Sequence, residues 1–171
     1  MRDTHAEGKH PEQPKRGRVT ESMISVRAAI PSDTPSWLRM RCALWPEGKQ
    51  SEHMEDIARF FAREARLPSA TFIAFDQAGA AVGFAELSIR SAAEGCESGW
   101  VAYLEGWYVD PRARRHGAGR ALIWAAEAWA QSQGCREFAS DTQTTNTASA
   151  EAHAALGFTE VEQLRCFRKS L

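Results

Sequence analysis

The sequence of 171 residues has no long apolar run, almost no net charge and no closely spaced pair of cysteines. The roughly 20 consecutive apolar residues of a membrane span are missing, as is an N-terminal apolar signal segment, so we expect no membrane partner. The formal net charge of -1 argues against a nucleic-acid partner, because proteins that bind nucleic acid carry a basic surface.

The four cysteines and five histidines are scattered along the chain. They form no C-x-x-C pair and have no metal-ligand spacing, so we expect no metal. Cysteines without a disulfide framework favour a reduced, cytoplasmic protein.

What is present is the composition of one soluble domain, with 43% apolar and 25% charged residues. The first 22 residues differ, because they are rich in Lys, Arg, Glu, Pro and Gln and nearly lack large apolar side chains. Such a segment cannot bury enough apolar surface to order itself. We therefore predict a disordered N-terminal extension over residues 1–22 and a folded domain over residues 23–171.

The apolar pattern of this domain alternates between strands and helices. It predicts strands over 24–30, 71–75, 80–89, 100–109 and 137–141, and helices that begin near residues 33, 51, 118 and 146. Two further strand candidates follow at 158–162 and 164–167. The helix after residue 118 is a crossover that makes its two flanking strands parallel. We therefore expect a three-layer α/β/α fold with a mixed, mostly antiparallel sheet.

Residues 110–120 form a basic, glycine-rich loop between a strand and a helix. Gly117 and Gly119 lack side chains, so the backbone N–H groups there can approach a ligand closely. The first helical turn adds unpaired N–H donors and the positive end of the helix dipole. A phosphate site is predicted, surrounded by Arg112, Arg114, Arg115, His116 and Arg120. The alternative is an ordinary helix start, with glycine for turning and arginine for solubility.

Glu105 stands in a strand otherwise made of Trp, Val, Ala, Tyr, Leu and Gly. A carboxylate buried there without a partner is unfavourable, which points to a function. Alternation of side chains predicts that Glu105 shares one face, suited to a cationic, ring-bearing ligand, with Tyr103, Trp107 and Val109. The alternatives are an ion pair with an arginine such as Arg136, or a position at the sheet edge.

Asp141 ends the next parallel strand, at the carboxyl end where open α/β sheets bind ligands. It also begins the polar run Asp-Thr-Gln-Thr-Thr-Asn at 141–146, so a turn or capping role is an equal alternative. If Glu105 and Asp141 face one cleft, they can hold an ammonium group and accept its proton directly or through a water.

Two signatures resemble those of the GCN5-related N-acetyltransferases. The run R-x-x-G-x-G at 114–119, after an aromatic-rich strand ending in Val-Asp-Pro, is similar to their acetyl-CoA pyrophosphate loop, and Asn-x-x-Ser-x-x-x-His at 146–153 to their second signature. A wider set resembles the aminoglycoside 6′-N-acetyltransferases: Leu-Trp-Pro at 44–46, Ala-Glu-Leu-Ser-Ile-Arg at 85–90, Tyr-Leu-Glu-Gly-Trp-Tyr-Val-Asp-Pro at 103–111, Gly-Cys-Arg-Glu-Phe-Ala-Ser-Asp at 134–141 and His-x-x-Leu-Gly-Phe at 153–158.

The resemblance implies that acetyl-CoA binds where two parallel central strands splay apart. The pantetheine then pairs with the backbone of 107–109, the pyrophosphate lies on the basic loop, and the Val109 N–H donates to the thioester carbonyl. The implied cofactor-binding residues are Trp107, Tyr108, Val109, Arg114, Arg115, His116, Gly117, Ala118, Gly119, Arg120 and Asn146.

The resemblance also implies direct attack by the 6′-amine of the antibiotic in a ternary complex. Glu105 and Asp141 match the active-site carboxylates of the family, and Glu86 and Trp45 are expected to contact the substrate. His153 stands where the family commonly has a tyrosine that protonates the departing thiolate. A general acid is therefore one interpretation of His153, and a packed helical histidine is the other.

A homodimer built on the last strand pair, beside Leu164 and Phe167, is a further implication of the resemblance. The substrate would be a polycation, which an acidic rim attracts, and the expected rim is Glu47, Glu52, Glu55, Asp56, Glu94 and Glu97. Two other functions remain open. The acceptor could be a polyamine, a metabolite amine or a protein N-terminus, and the chain could be a non-catalytic acetyl-CoA-binding module.

Overall fold

A five-stranded sheet in the order β1-β2-β3-β4-β5 organises the computed structural model, which describes residues 24–65 and 67–170. The strands are β1 Ser25–Ala28, β2 Ala70–Phe75, β3 Ala81–Arg90, β4 Val101–Val109 and β5 Phe138–Ser140. Neighbouring strands are antiparallel except β4 and β5, which are parallel. The predicted extension over 1–22 lies outside the described residues.

The described residues also form four α-helices, namely α1 Thr34–Leu44, α2 Gln50–Ala62, α3 Ala118–Ser132 and α4 Thr147–Ala155. The first apolar core lies between the sheet and α3, around Leu87, Leu104 and Leu122. The second lies on the opposite face against α1 and α2, around Trp37 and Phe84. The predicted three-layer α/β/α fold with a mixed sheet is confirmed. Within the described ranges, no helix combines the length and the apolar character needed to cross a membrane.

β4 and β5 pair only along part of their length. Ala102, Tyr103 and Leu104 lie opposite Phe138, Ala139 and Ser140, and β4 then continues to Val109 without a partner from β5. A gap therefore opens between the two parallel strands beyond Leu104, at the end of the sheet where the basic loop begins.

A β-bulge interrupts β4 at Glu105. Glu86 of β3 lies opposite Gly106 and Leu87 lies opposite Leu104, so Glu105 has no partner in the β3 register. The extra residue reverses the alternation of side chains. The prediction that Glu105, Trp107 and Val109 share one face is therefore wrong, because Trp107 and Val109 pack into the α3 core while Glu105 faces the α1 and α2 side.

The two strands predicted at 158–162 and 164–167 are not formed, because residues 158–170 lie outside every helix and strand. One intervening residue is too short for a hairpin turn, which needs at least two, so the segment cannot fold back on itself. The side chains of Val161, Leu164 and Phe167 are exposed there, the last of them by 91%.

Candidate active site

Glu105 is held at the bulge by two neighbours on β3. The Ser88 hydroxyl donates a hydrogen bond to Glu105 Oε1. The Arg90 guanidinium donates twice, from Nε to Oε1 at 3.0 Å and from Nη2 to Oε2 at 2.6 Å. The ion pair considered from the sequence thus exists, but its partner is Arg90 rather than Arg136, since the bulge turns Glu105 toward β3.

Asp141 follows β5 directly and lies beside the same guanidinium. The Asp141 charge interacts with the Tyr103 hydroxyl and with the Arg90 guanidinium. Burial raises the pKa of Tyr103 to about 12, and the negative charge of Asp141 adds to that rise. Arg90 is thus paired with Glu105 and also interacts electrostatically with Asp141, on the face of the sheet that carries Tyr103. The capping role considered for Asp141 belongs to Asn146, whose Oδ1 accepts from the Ser149 N–H at 3.1 Å.

Glu86 lies on the same face of the sheet but below the surface, with 3% of its side chain exposed. Trp37 Nε1 donates to Glu86 Oε1 at 2.8 Å, and Arg41 Nε lies 3.5 Å from the same oxygen. Burial raises the pKa of Glu86 to about 7, and the Arg41 charge opposes the rise. Glu86 is therefore covered by α1 and paired with Trp37 and Arg41.

Trp45 covers the bulge from the end of α1. A Cβ on Gly106 would lie 2.6 Å from Trp45 Cη2, so this close packing requires glycine at position 106. The Arg41 guanidinium lies 5.2 Å from the Trp45 ring centroid, and the His53 ring stacks on Trp45 at 6.1 Å. The predicted substrate residue Trp45 is thus fixed next to the paired carboxylates.

The basic loop forms the entry to α3. Gly117 adopts a left-handed φ of 91° at the N-terminal cap, and Arg115 adopts a φ of 64°. Arg114 Nε donates to the Val109 carbonyl at 3.1 Å, which ties the loop to the end of β4. The helix N-terminus, with its unpaired N–H groups, therefore faces the same end of the sheet as the gap between β4 and β5.

His153 lies on the α3 face of the sheet. Its Nδ1 is 2.8 Å from the Ser149 carbonyl and its Nε2 is 3.0 Å from Ser140 Oγ at the end of β5. The Trp107 ring packs edge-on against it at 5.3 Å. Glu105 lies on the opposite face, so the gap between β4 and β5 separates His153 from the two carboxylates.

The model of the Acetyltransferase (GNAT) family matches residues 34–158. The chain belongs to the GNAT acetyltransferase family. The matched range includes the bulge, the basic loop and His153. The whole candidate site of this GNAT acetyltransferase therefore lies within it.

Among similar proteins, aminoglycoside N(6′)-acetyltransferase type 1 of Klebsiella aerogenes is 59% identical over 151 residues, which are 88% of this chain and 99% of that protein. The protein of the same name from Stenotrophomonas maltophilia is 38% identical over 151 residues, 88% of this chain and 95% of that one. The structure of AAC(6′)-Iy in complex with a bisubstrate analogue, CoA-S-monomethyl-acetylneamine, is 38% identical with a TM-score of 0.80, covering 86% of this chain and 99% of that one.

Several residues of the GNAT site escaped the sequence reasoning. Ser88 and Arg90 belong to the run at 85–90 that carries the resemblance, but no site role is predicted for them, although they alternate with Glu86 on one face of the strand. The sequence indicates a site role for Arg41 and His53 less clearly. Each is a polar residue on the apolar face of its helix, and each is buried.

Proposed function

We propose that this protein transfers the acetyl group of acetyl-CoA to the 6′-amine of aminoglycoside antibiotics, by direct attack of the amine in a ternary complex. The observation that supports the proposal is Arg90, which pairs with Glu105 and interacts with Asp141, next to the point where β4 continues without β5. The 59% identity to the Klebsiella aerogenes enzyme supports the same acceptor.

The gap has the features that acetyl-CoA needs. Asp110 N–H donates to the Val82 carbonyl of β3, so the N–H of the preceding residue, Val109, points to the other edge of β4, into the gap. A donor there can polarise the thioester carbonyl as negative charge develops on it. The N–H groups at Gly117 to Arg120, at the start of α3, suit the pyrophosphate. Gly119 packs against Trp107, which closes the wall beside them.

The two carboxylates carry the acceptor chemistry in this proposal. The amine arrives as an ammonium ion, which Glu105 and Asp141 attract, and it must lose a proton before it can attack. The free lone pairs of the carboxylates take that proton directly or through a water. His153 then supplies a proton to the departing thiolate across the gap, with Ser149 and Ser140 fixing its ring.

We also propose that the enzyme is a cytoplasmic homodimer whose N-acetyltransferase domain spans residues 23–171. The segment 158–170 exposes Leu164 and Phe167, while β5 pairs with β4 alone among the described strands. An unpaired strand edge and an exposed apolar segment can be covered by a second copy of the chain. The variant L164D/F167D should therefore lower the mass measured by light scattering, and a parent of monomer mass would contradict the dimer.

Acetyl-CoA-dependent thiol release tests the activity. Kanamycin and tobramycin carry a 6′-amine and should be turned over, whereas paromomycin carries a 6′-hydroxyl and should not. Glu105→Gln and Asp141→Asn should each lower kcat by about 10²- to 10⁴-fold, the range of general base catalysis, and retain acetyl-CoA binding.

Two other results of the assay would replace this proposal. Turnover of polyamines or protein N-termini in place of the 6′-amine would replace the acceptor. Tight acetyl-CoA binding that is indifferent to both amide variants, with no turnover of any amine, would support a non-catalytic binding module instead.

A further inference from the structure

An arginine occupies the centre of a site that we propose for a polycation. Arg90 makes both of its short contacts with Glu105, at 2.6 Å and 3.0 Å, and its charge also acts on Asp141. Two carboxylates and one guanidinium leave a single net negative charge. The site therefore attracts one ammonium group rather than two. The guanidinium weakens the attraction for a polycation, so it must serve another purpose in the site.

The contacts of Glu105 indicate that role. A carboxylate has about four lone-pair positions on its two oxygens. On Oε1 the Ser88 hydroxyl and Arg90 Nε take both positions, and on Oε2 Arg90 Nη2 takes one. One position on Oε2 remains for a substrate N–H donor. The two β3 side chains thus set the direction in which Glu105 can accept.

The guanidinium is itself fixed from behind. Arg90 Cζ lies 3.3 Å from the centroid of the Tyr103 ring, and Tyr103 is 3% exposed. The buried Tyr103 ring holds the plane of the Arg90 guanidinium. Because the guanidinium binds the Glu105 carboxylate through two hydrogen bonds, its fixed plane also sets the orientation of that carboxylate. Such support is needed at Glu105, because the bulge deprives this residue of the neighbour that a regular strand would provide.

We propose that Arg90 is a positioning residue that clamps Glu105, so that the one free lone pair on Oε2 points at the acceptor amine. The proposal rests on the catalytic role of Glu105 proposed above. Arg90 acts through Glu105 and touches no reacting atom.

The test compares Arg90→Met with Arg90→Lys in the full chain. Arg90→Met keeps the unbranched stem of the side chain as far as the Nε position and loses the guanidinium fork, so kcat with kanamycin should fall about 10- to 100-fold, the effect of misplacing a catalytic group by about 1 Å. Since Arg90 does not hold the substrate, KM should not rise. Arg90→Lys keeps the charge without the planar fork and should restore kcat only in part.

Arg27→Met is the matched control. Arg27 also forms a forked ion pair, with Asp33 at 2.6 Å and 2.8 Å, and stacks on a ring, Phe75, at 4.4 Å, but it lies on the outer strand β1. Its loss should affect stability in the same way and leave kcat unchanged. A double variant supplies a second check, because Arg90→Met should add little to the loss already caused by Glu105→Gln.

A crystal structure of Arg90→Met separates the clamp from the activity. Glu105 should leave Ser88 in that structure, and a Glu105 that stays in place would overturn the proposal whatever the acceptor is. A kcat equal to that of the parent, or full multiplication of the two losses in the double variant, would also overturn it. A parent that acetylates no amine, or a Glu105→Gln variant with full turnover, would instead count against the proposed function.

Discussion

The contact between Gly106 and Trp45 can be broken by adding one methyl group. A Cβ at position 106 would lie 2.6 Å from Trp45 Cη2, 2.8 Å from Cζ2 and 3.4 Å from Leu44 Cδ2. Carbon atoms normally approach to about 3.5–4.0 Å, so the Trp45 ring must move by roughly 1 Å. Its retreat is limited by the Phe84 ring, whose centroid is 6.1 Å away and which is fully buried.

Overpacking of this kind costs about 1–3 kcal/mol of unfolding free energy. For a chain of this length each kcal/mol lowers Tm by about 2–4 °C, so Gly106→Ala should melt about 2–12 °C below the parent. The activity should fall further than the stability suggests. The methyl group sits beside Glu105 in the bulge, and a displacement of about 1 Å can reduce turnover on the order of 100-fold.

Thermal unfolding and the thiol-release assay measure the two effects. Gly99→Ala is the control, because the nearest atom to its new Cβ is the Ser91 carbonyl oxygen at 3.8 Å, an ordinary contact. It should change the unfolding free energy by no more than about 0.5 kcal/mol. Trp45→Leu in the Gly106→Ala background removes the clash and should recover part of the lost Tm. A Gly106→Ala variant with the same Tm as the parent would refute the proposed steric conflict between position 106 and Trp45.

Three other substitutions test separate parts of the site. Burial raises the pKa of Glu86 from 4.5 to about 7, so the folded protein holds a proton that the unfolded chain has released, and stability should fall as pH rises through this range by an amount on the order of 3 kcal/mol. Glu86→Gln should lack this component in urea unfolding at pH 5 and pH 8, and an equal pH dependence in both proteins would contradict it. Gly119→Ala places a Cβ 2.9 Å from Trp107 Cζ2, which should displace the Trp107 ring. KM for acetyl-CoA should then rise severalfold, with kcat for the amine little changed. An unchanged KM would show that displacing the ring does not affect acetyl-CoA binding. Tyr103→Phe removes the hydroxyl that interacts with Asp141, an interaction of about 0.5–1.5 kcal/mol, and keeps the ring against Arg90. It should lower kcat about 2- to 10-fold, and parental kcat would exclude a role for that hydroxyl.

Local patterns in the sequence determined most of the architecture and the approximate place of the site. Apolar periodicity, together with helix-start and turn residues, predicted the five strands and four helices of the described chain, because these signals are local. The basic loop could be recognised because glycine and helix-start chemistry are local. The crossover helix also made the strands of Glu105 and Asp141 parallel, which raised the hypothesis that the two carboxylates share a cleft.

Only the tertiary structure decided how those residues face one another. One extra residue at Glu105 moves Trp107 and Val109 to the other side of the sheet, and strand alternation read from the sequence cannot include an insertion that only the β3 register reveals. Arg90 pairs with Glu105 from a different strand. Trp45 packs on Gly106 from a different part of the chain. The segment 158–170 has strand-like composition yet forms no strand, because a strand requires a hydrogen-bonding neighbour as well as a pattern.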